Sequence, residues 1–244
     1  MHALSAAEML HTWEVGLAQP PLHRALTLLA AAWPDSTPAT LVDLSIGQRN
    51  ARLLRMREET FGPALACHAT CPWCGEPAEL TFDIADVTVD SGVDVTTPVE
   101  IRHDGYEIEA RIPTTRDLLA AAGSGEVATI RRHLLERCVL SAREGDREIG
   151  AGDLPEAAVA EISRQLASID AQAEIRLGLS CPACGQPWEE GFDILSYFWI
   201  EIDAWASRLL HDVHSLAVAH GWREADILAM GPARRRRYLD MVGA

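Results

Sequence analysis

Residues 71–84 read CPWCGEPAELTFDI, and residues 181–194 read CPACGQPWEEGFDI. Aligned without a gap, the two stretches agree at nine of their fourteen positions. Both begin with Cys-Pro-x-Cys-Gly and both end in Phe-Asp-Ile. This agreement indicates that one short structural unit occurs twice in the chain, and that the two copies share a role.

The Cys-Pro-x-Cys-Gly turn is typical of a zinc knuckle. Two thiolates on a tight turn face one metal ion, and the glycine accepts a backbone conformation that other residues resist. A closed structural zinc site needs four ligands, which neither copy supplies alone. The sequence therefore predicts one shared structural Zn²⁺ site, with Cys71, Cys74, Cys181 and Cys184 as its ligands.

Three other interpretations of these cysteines remain open. The pairs are small turns without metal, or each is a thioredoxin-like dithiol, or together they hold iron as in rubredoxin. A dithiol of that type normally opens a helix after a strand. Here the first pair leads into Leu80, Phe82 and Ile84, whose alternation indicates a strand. The strand pattern favours a metal site.

Composition and charge narrow the class of protein. A chain of 244 residues, 48% of them hydrophobic, can bury a substantial core in one compound domain or two small ones. Its net charge of −15 argues against a nucleic-acid partner, because nucleic-acid-binding proteins present a basic face to phosphate.

Six cysteines, four in metal-type pairs, fit a reducing compartment. No apolar run approaches the roughly 20 residues of a membrane span, and no basic-then-apolar leader opens the chain. We expect a cytoplasmic protein.

Periodicity predicts the elements around the two copies. Helical spacing of apolar residues predicts helices over 3–18, 23–33, 46–61 and 195–220, and further helices near 115–138 and 155–169. Alternation predicts strands beside each knuckle and a hairpin about Asp104-Gly105, whereas the glycine-rich residues 143–153 are expected to form a surface loop. The predicted fold class is α+β: helix-rich, with a zinc ribbon-like centre formed by the knuckle-strand units 71–84 and 181–194.

Three stretches of the chain resemble a known family. They are LSIGQRNARLLRMREETFGPAL at 44–65, the first knuckle with its Phe-Asp-Ile strand, and HSLAVAHGWREADILAMGPARRRRYLDMV at 214–242. Together they are similar to the T4-type phage baseplate hub family, which also occurs in phage-tail-like contractile injection systems. The resemblance covers residues 41–244, including C-terminal helices at 195–242, and leaves 1–40 as an N-terminal helical extension.

The resemblance implies a non-enzymatic role. It implies a baseplate hub component or hub assembly factor of a contractile particle, acting through contacts with other baseplate or hub proteins. Such a protein is found in the cytoplasm or incorporated in the particle. A zinc-ribbon subunit of an enzyme complex is a further alternative. The sequence leaves the oligomeric state open.

Several other residues are of types that can bind a metal, act in catalysis or contact a partner. His68 and Cys67 precede the first knuckle as candidate substitute ligands, and Cys138 is expected to be a buried apolar residue. His211 and His214 lie one helical turn apart but lack a third ligand. Asp83 and Asp193 occupy equivalent places in the two copies and are expected to cap strand ends or turns. The arginines at 234–237 form either a solvated face or a contact for a partner's carboxylates.

Overall fold

A computed structural model of the protein describes residues 1–89 and 97–242. In chain order, its α-helices are α1 Ala6–Gly16, α2 Pro21–Ala32, α3 Pro38–Val42, α4 Ile46–Phe61, α5 Ile84–Val87, α6 Thr115–Ala121, α7 Val127–Cys138, α8 Glu156–Ile169, α9 Ile194–His220, α10 Glu224–Leu228 and α11 Pro232–Val242. Its strands are β1 Ala64–Thr70, β2 Pro77–Asp83, β3 Val99–His103, β4 Tyr106–Ala110, β5 Val139–Glu144, β6 Arg147–Glu148, β7 Ile175–Ser180 and β8 Pro187–Phe192. The fold is a helix-rich α+β fold.

The chain divides into two compact units. One consists of Met1–Thr37 together with Ile194–Ala244, and the other of Pro38–Asp193. The first unit, as far as it is described, is helical, and the second contains the strands. The boundary at residue 40 between an extension and a family-like domain stays a prediction.

Antiparallel pairing organises the second unit. β1 pairs with β2 and β7 with β8 as two separate hairpins, while β3, β4, β5 and β6 form a four-stranded meander. The predicted Asp104-Gly105 turn is confirmed between β3 and β4, and both residues have positive φ (45° and 85°). β5 and β6 cover part of the stretch that was expected to be a surface loop, and that expectation is wrong there.

Apolar burial fixes the core of each unit. In the second unit Ala158 and Ile162 of α8 belong to one cluster with Ile101 and Ile108 of the meander, and all four are at most 3% exposed. In the first unit a cluster with Leu10 and Ile227 includes four buried residues of α9, which are Ala206, Leu209, Val213 and Leu216. These apolar residues of the long helix are therefore part of the core of that unit.

The helix that opens the family-like stretch begins at a capping box. The Ser45 hydroxyl accepts a hydrogen bond from the Gln48 N–H (3.0 Å), and the Ser45 N–H donates to the Gln48 side chain (3.1 Å). These bonds satisfy donors that the first turn of a helix leaves free. The helix predicted over 46–61 is confirmed, and Ser45 caps its first turn.

Candidate metal centre

The first knuckle is the loop between β1 and β2. The Cys71 N–H donates to the Glu76 carbonyl (2.9 Å), and the Gly75 N–H donates back to the Cys71 carbonyl (3.0 Å). Gly75 has φ of +77°, which side-chain-bearing residues rarely adopt, so this position needs glycine. These bonds hold both cysteines of the loop on one tight turn.

The second knuckle repeats this arrangement between β7 and β8. The Cys181 N–H donates to the Gln186 carbonyl (3.0 Å), the Gly185 N–H donates to the Cys181 carbonyl (2.9 Å), and Gly185 has φ of +72°. The near-identity of the two sequences therefore extends to backbone geometry. Each loop is a tight two-thiol turn at the end of a hairpin.

The structure brings the four predicted site residues together. The Cys71 and Cys184 sulfurs are 3.8 Å apart, those of Cys74 and Cys181 are 3.5 Å apart, and all four lie within 4.8 Å of one another. A tetrahedron with metal–sulfur bonds of about 2.3 Å has edges of about 3.8 Å. These distances are far longer than a disulfide bond of about 2.05 Å. The spacing fits four thiolates around one metal ion.

Protonation within the cluster is uneven. The Cys184 N–H donates to the Cys181 sulfur (3.5 Å), and this bond, together with the Ala183 backbone and the neighbouring thiols, lowers the pKa of Cys181 to about 6 against the effect of desolvation. A backbone N–H at Glu76 lowers the pKa of Cys74, but the neighbouring thiols and desolvation outweigh it and raise that pKa to about 12. Four sulfurs in contact cannot all ionise without a neutralising cation. A divalent metal ion resolves this repulsion, since the thiolate is the form that binds it.

An aromatic pair joins the same two hairpins. Phe82 of β2 and Phe192 of β8 are the equivalent phenylalanines of the two copies, and their ring centroids lie 5.6 Å apart in an edge-to-face arrangement. Such pairs are favourable because the ring edge meets the electron-rich face. The hairpins therefore meet through equivalent residues twice, once at the sulfurs and once at these rings.

Four thiolates would complete a tetrahedral shell and leave no position for a substrate or an activated water. The donor set fits a structural Zn²⁺ ion, and it fits a rubredoxin-type iron ion equally well, because both take four thiolates at similar distances. Cys71 and Cys181 are buried, whereas Cys74 and Cys184 are exposed. One half of the cluster therefore lies at the protein surface.

The other candidate ligands lie outside the cluster. Among the described residues, the four cysteines are the one group of three or more potential ligands close enough to share an ion. Cys67 and His68 lie on β1, outside it. Cys138 is buried at the end of α7, and burial raises the pKa of its thiol to about 11, as expected for an inert apolar residue. Within the part of the chain that the structure describes, no third potential ligand lies close enough to His211 and His214 to share an ion with them.

Sequence reasoning missed a buried polar network at the start of the family-like stretch. The Asp170 carboxylate, 5% exposed, accepts from the Ser45 hydroxyl (2.9 Å) and from the Gly47 N–H (2.9 Å). The Asn50 side-chain amide donates to the carbonyls of Gln172 (3.1 Å) and Ala173. This network ties the first turn of α4 to the segment before β7. No local sequence pattern predicts a contact between residues that are more than 120 positions apart in the chain.

The same segment is tied to the end of α5. The Gln172 side chain donates to the Val87 carbonyl (3.0 Å) and accepts from the Val89 N–H (2.6 Å). Gln172 is 5% exposed, so both bonds satisfy groups that are shielded from water. The residues that carry the family resemblance at 44–50 thus position the segment from which β7 starts.

The fold and site define a class: a helix-rich α+β protein in which two copies of one knuckle bring four cysteines together. A family model described as T4 bacteriophage base plate protein matches residues 27–199, more than two thirds of the chain, and the chain belongs to that family. The match takes in residues 27–40, which were expected to lie outside the resemblance, and stops before 214–242.

Comparison with curated proteins and with solved structures found no match. Within the described residues, no helix is long and apolar enough to cross a membrane.

Proposed function

We propose that this chain is a non-enzymatic, zinc-binding baseplate component or baseplate assembly factor of a contractile, phage-tail-like particle. The observation that carries the proposal is the family match over residues 27–199. The finer assignment to the hub rests on the resemblance of the stretches at 44–65 and 214–242. Its partners are other baseplate or hub proteins, and its place is the cytoplasm or the finished particle.

The metal has a structural role in this proposal. Zn²⁺ held by Cys71, Cys74, Cys181 and Cys184 links two hairpins that are small and marginal by themselves. The sulfur spacing and the paired backbone geometry of the knuckles support such a site. Binding free energy at such a site becomes folding free energy, because the ligands converge only in the folded chain.

Deletion of the gene in a host that makes the particle tests the role. We expect electron micrographs of the deletion strain to lack sheathed particles, and a plasmid copy of the wild-type gene to restore them. Normal sheathed particles at normal yield in the deletion strain would overturn the proposal. Mass spectrometry of purified wild-type particles then separates the two versions: a component stays in the particle, whereas an assembly factor is absent from it.

A rubredoxin-like iron electron carrier is the alternative. One observation is compatible with it, the N–H···S bond from Cys184 to Cys181, because such bonds tune the potential of iron–thiolate centres. Metal analysis and visible spectroscopy of the purified protein decide between the two. A colourless protein with one equivalent of zinc supports the baseplate proposal, and a red protein with reversible reduction supports the alternative.

A further inference from the structure

We infer that the outer edge of β7 binds an extended segment of a partner protein, which adds to the hairpin as a further strand. The inference deepens the proposed function, because it names the kind of segment through which another baseplate protein docks. Four observations carry it: an edge that pairs with no other strand among the described residues, a glycine at its centre, an adjoining cleft with an apolar floor, and the charge around that cleft.

The hydrogen-bond pattern shows which main-chain groups face outward. Opposed residues of an antiparallel pair alternate between bonded and non-bonded pairs. Cys181 bonds to Gln186, so the next pair that is not bonded is Ser180 with Pro187, and Gly178 with Glu189 follows two residues further along. The N–H and C=O of Gly178 therefore point away from β8. Among the described residues, β8 is the one strand that pairs with β7.

Gly178 leaves room for another backbone at this edge. A glycine inside a strand weakens it, and often marks a place where a second backbone approaches closely. A Cβ built on Gly178 would meet nothing within 4 Å, so no internal packing requires glycine there. Its φ lies outside the left-handed region, so the backbone conformation does not require glycine either. The position therefore leaves room for the close approach of a second backbone from outside.

A cleft of about 680 Å³ runs along this edge. Its walls include consecutive residues of β2 and of β7, at 79–82 and 175–179, so the cleft follows the strands lengthwise. Half-buried apolar side chains contribute to it from both hairpins, and they are Leu80, Phe82, Leu177 and Leu179. An extended segment in the cleft could therefore place every second side chain on apolar surface.

The charges around the cleft determine which side chains suit the remaining positions of the bound segment, those that do not lie on the apolar surface. Glu79 and Asp86 line it and are exposed. The one arginine in its lining, Arg176, is paired with Glu174 (2.5 Å) and with Glu189 (3.4 Å), so its charge is already compensated. The rim is thus acidic, and it complements lysine or arginine side chains. The occupant is an extended segment with alternating apolar and basic residues.

A synthetic peptide tests the inference with the full-length, metal-loaded protein. The probe is an acetylated and amidated octapeptide of alternating lysine and valine, and its binding is measured by calorimetry. Two control peptides isolate the two requirements: glutamate in place of lysine removes the charge match, and four lysines followed by four valines removes the alternation. We expect saturable binding of the alternating basic peptide, and binding at least about tenfold weaker for each control. Equal binding of all three overturns the inference.

A pair of substitutions tests the main-chain contact. Gly178→Pro removes the outward N–H at an edge position where proline is tolerated, whereas Gly178→Ala adds a side-chain atom but keeps the donor. We expect peptide affinity to fall in both variants relative to wild type, because any Cβ narrows the approach of the peptide, and to fall about tenfold further in the proline variant, because a main-chain bond is lost. Unchanged zinc content and circular dichroism verify that both variants fold. Equal affinity of the two folded variants overturns the inference.

Hydrogen exchange of the wild-type protein gives a readout that needs no variant. The inference requires the Gly178 amide to exchange about tenfold more slowly when the peptide is bound, and peptide binding without this protection overturns it. The outcome is separate from that of the proposed function: loss of particles on gene deletion, together with an unprotected edge, refutes the docking site alone.

Discussion

Gly47 occupies a position of α4 at which a side chain has no room. A Cβ there would lie 2.1 Å from the Oδ1 atom of Asp170 and 3.0 Å from the Ala173 nitrogen. Alanine normally stabilises a helix over glycine by about 1 kcal/mol. Here it would displace the carboxylate that caps the helix, so we expect Gly47→Ala to lower the free energy of unfolding by about 1 to 3 kcal/mol in chemical denaturation.

Gly123 offers the matched control for this substitution. Its φ is not positive, and a Cβ there would meet nothing within 4 Å. We expect Gly123→Ala to change the unfolding free energy by no more than about 0.5 kcal/mol. If Gly47→Ala is as stable as this control, Asp170 does not hold the first turn of α4 as the hydrogen bonds indicate.

A substitution at Cys184 distinguishes the stabilising effect of metal binding from that of packing, because the Cys184 side chain is exposed. An exposed thiol contributes little through burial, so any large effect of Cys184→Ser must act through the metal. We expect the zinc content to fall well below one equivalent and the Tm to fall by about 6 to 12 °C, which corresponds to about 3 kcal/mol for a chain of this size. Plasma mass spectrometry and thermal unfolding give the two quantities.

Cys67→Ala is the control for that variant. Cys67 lies half-buried on β1 and is not part of the four-sulfur cluster. We expect it to keep a full equivalent of zinc. Full metal content in Cys184→Ser, or loss in both variants, would contradict the assignment of ligands.

At the scale of single elements, the sequence predicted the elements that depend on contacts between residues close together in the chain, and it did not predict those that depend on contacts between distant residues. The knuckle turns were predictable because a cysteine and glycine spacing encodes a local bond pattern, and α4 was predictable from Ser45 and Gly62 at its two ends. β5 was not, because Val139 and Leu140 continue directly from α7 without an alternating pattern. Its pairing with β4 supplies the hydrogen bonds that the strand needs. The contacts of Asp170 could not be predicted either, because each one joins distant parts of the chain.

The arginine run at 234–237 contains one structural residue. Arg235 is 6% exposed, its Nε lies 3.4 Å from Asp212, and its Nη1 donates to the Met230 carbonyl (3.5 Å). Arg236 is exposed. The run is therefore not uniformly a solvated face, and any partner contact must use the exposed members.

These neighbours make a matched pair of variants. We expect Arg235→Ala to lower the free energy of unfolding by about 2 kcal/mol, because Asp212 is left without its buried partner. Arg236→Ala should lie within about 0.5 kcal/mol of wild type in the same denaturation experiment. The assignment is wrong if the two variants are equally stable.

Asp117 anchors the start of α6 through an ion network. Its carboxylate is 1% exposed and accepts from Arg111 (2.6 and 2.8 Å), from Arg137 (2.8 Å), and from the N–H and hydroxyl of Thr114 (both 2.9 Å). Burial opposes ionisation, but these donors outweigh it and hold the pKa of Asp117 well below its usual range. The carboxylate thus stays charged in the folded protein.

A pH series on Asp117→Asn tests this network. A depressed pKa contributes stability that is fully present above the unfolded value of about 3.9 and is lost as the pH falls toward the folded value. We expect the variant to be about 2 kcal/mol less stable than wild type between pH 5 and 7, and this difference to shrink below pH 4. Metal release in acid affects both proteins and cancels in the comparison. A difference that is independent of pH would count against the network.

At the scale of the whole molecule, a metal ion held by the four cysteines would act on one unit only. The four cysteines belong to the unit of Pro38–Asp193, and the ion would join loops 107 residues apart in the chain. The composition of the units was not predictable from sequence patterns. The first unit combines both ends of the chain, and no periodicity in residues 3–18 identifies α9 as belonging to the same unit.

Removal of the metal tests this division by hydrogen exchange. A two-stranded hairpin is marginal alone, so we expect a chelator to speed amide exchange at least about tenfold in 64–83 and 175–192. Residues 206–216 of α9 should keep their protection, since their apolar contacts include Leu10 and Ile227 of the same unit. Restoring zinc should restore the slow exchange of both hairpins. Equal loss of protection in α9 and the hairpins would mean that the ion supports the entire fold, and unchanged hairpins would mean that it restrains neither.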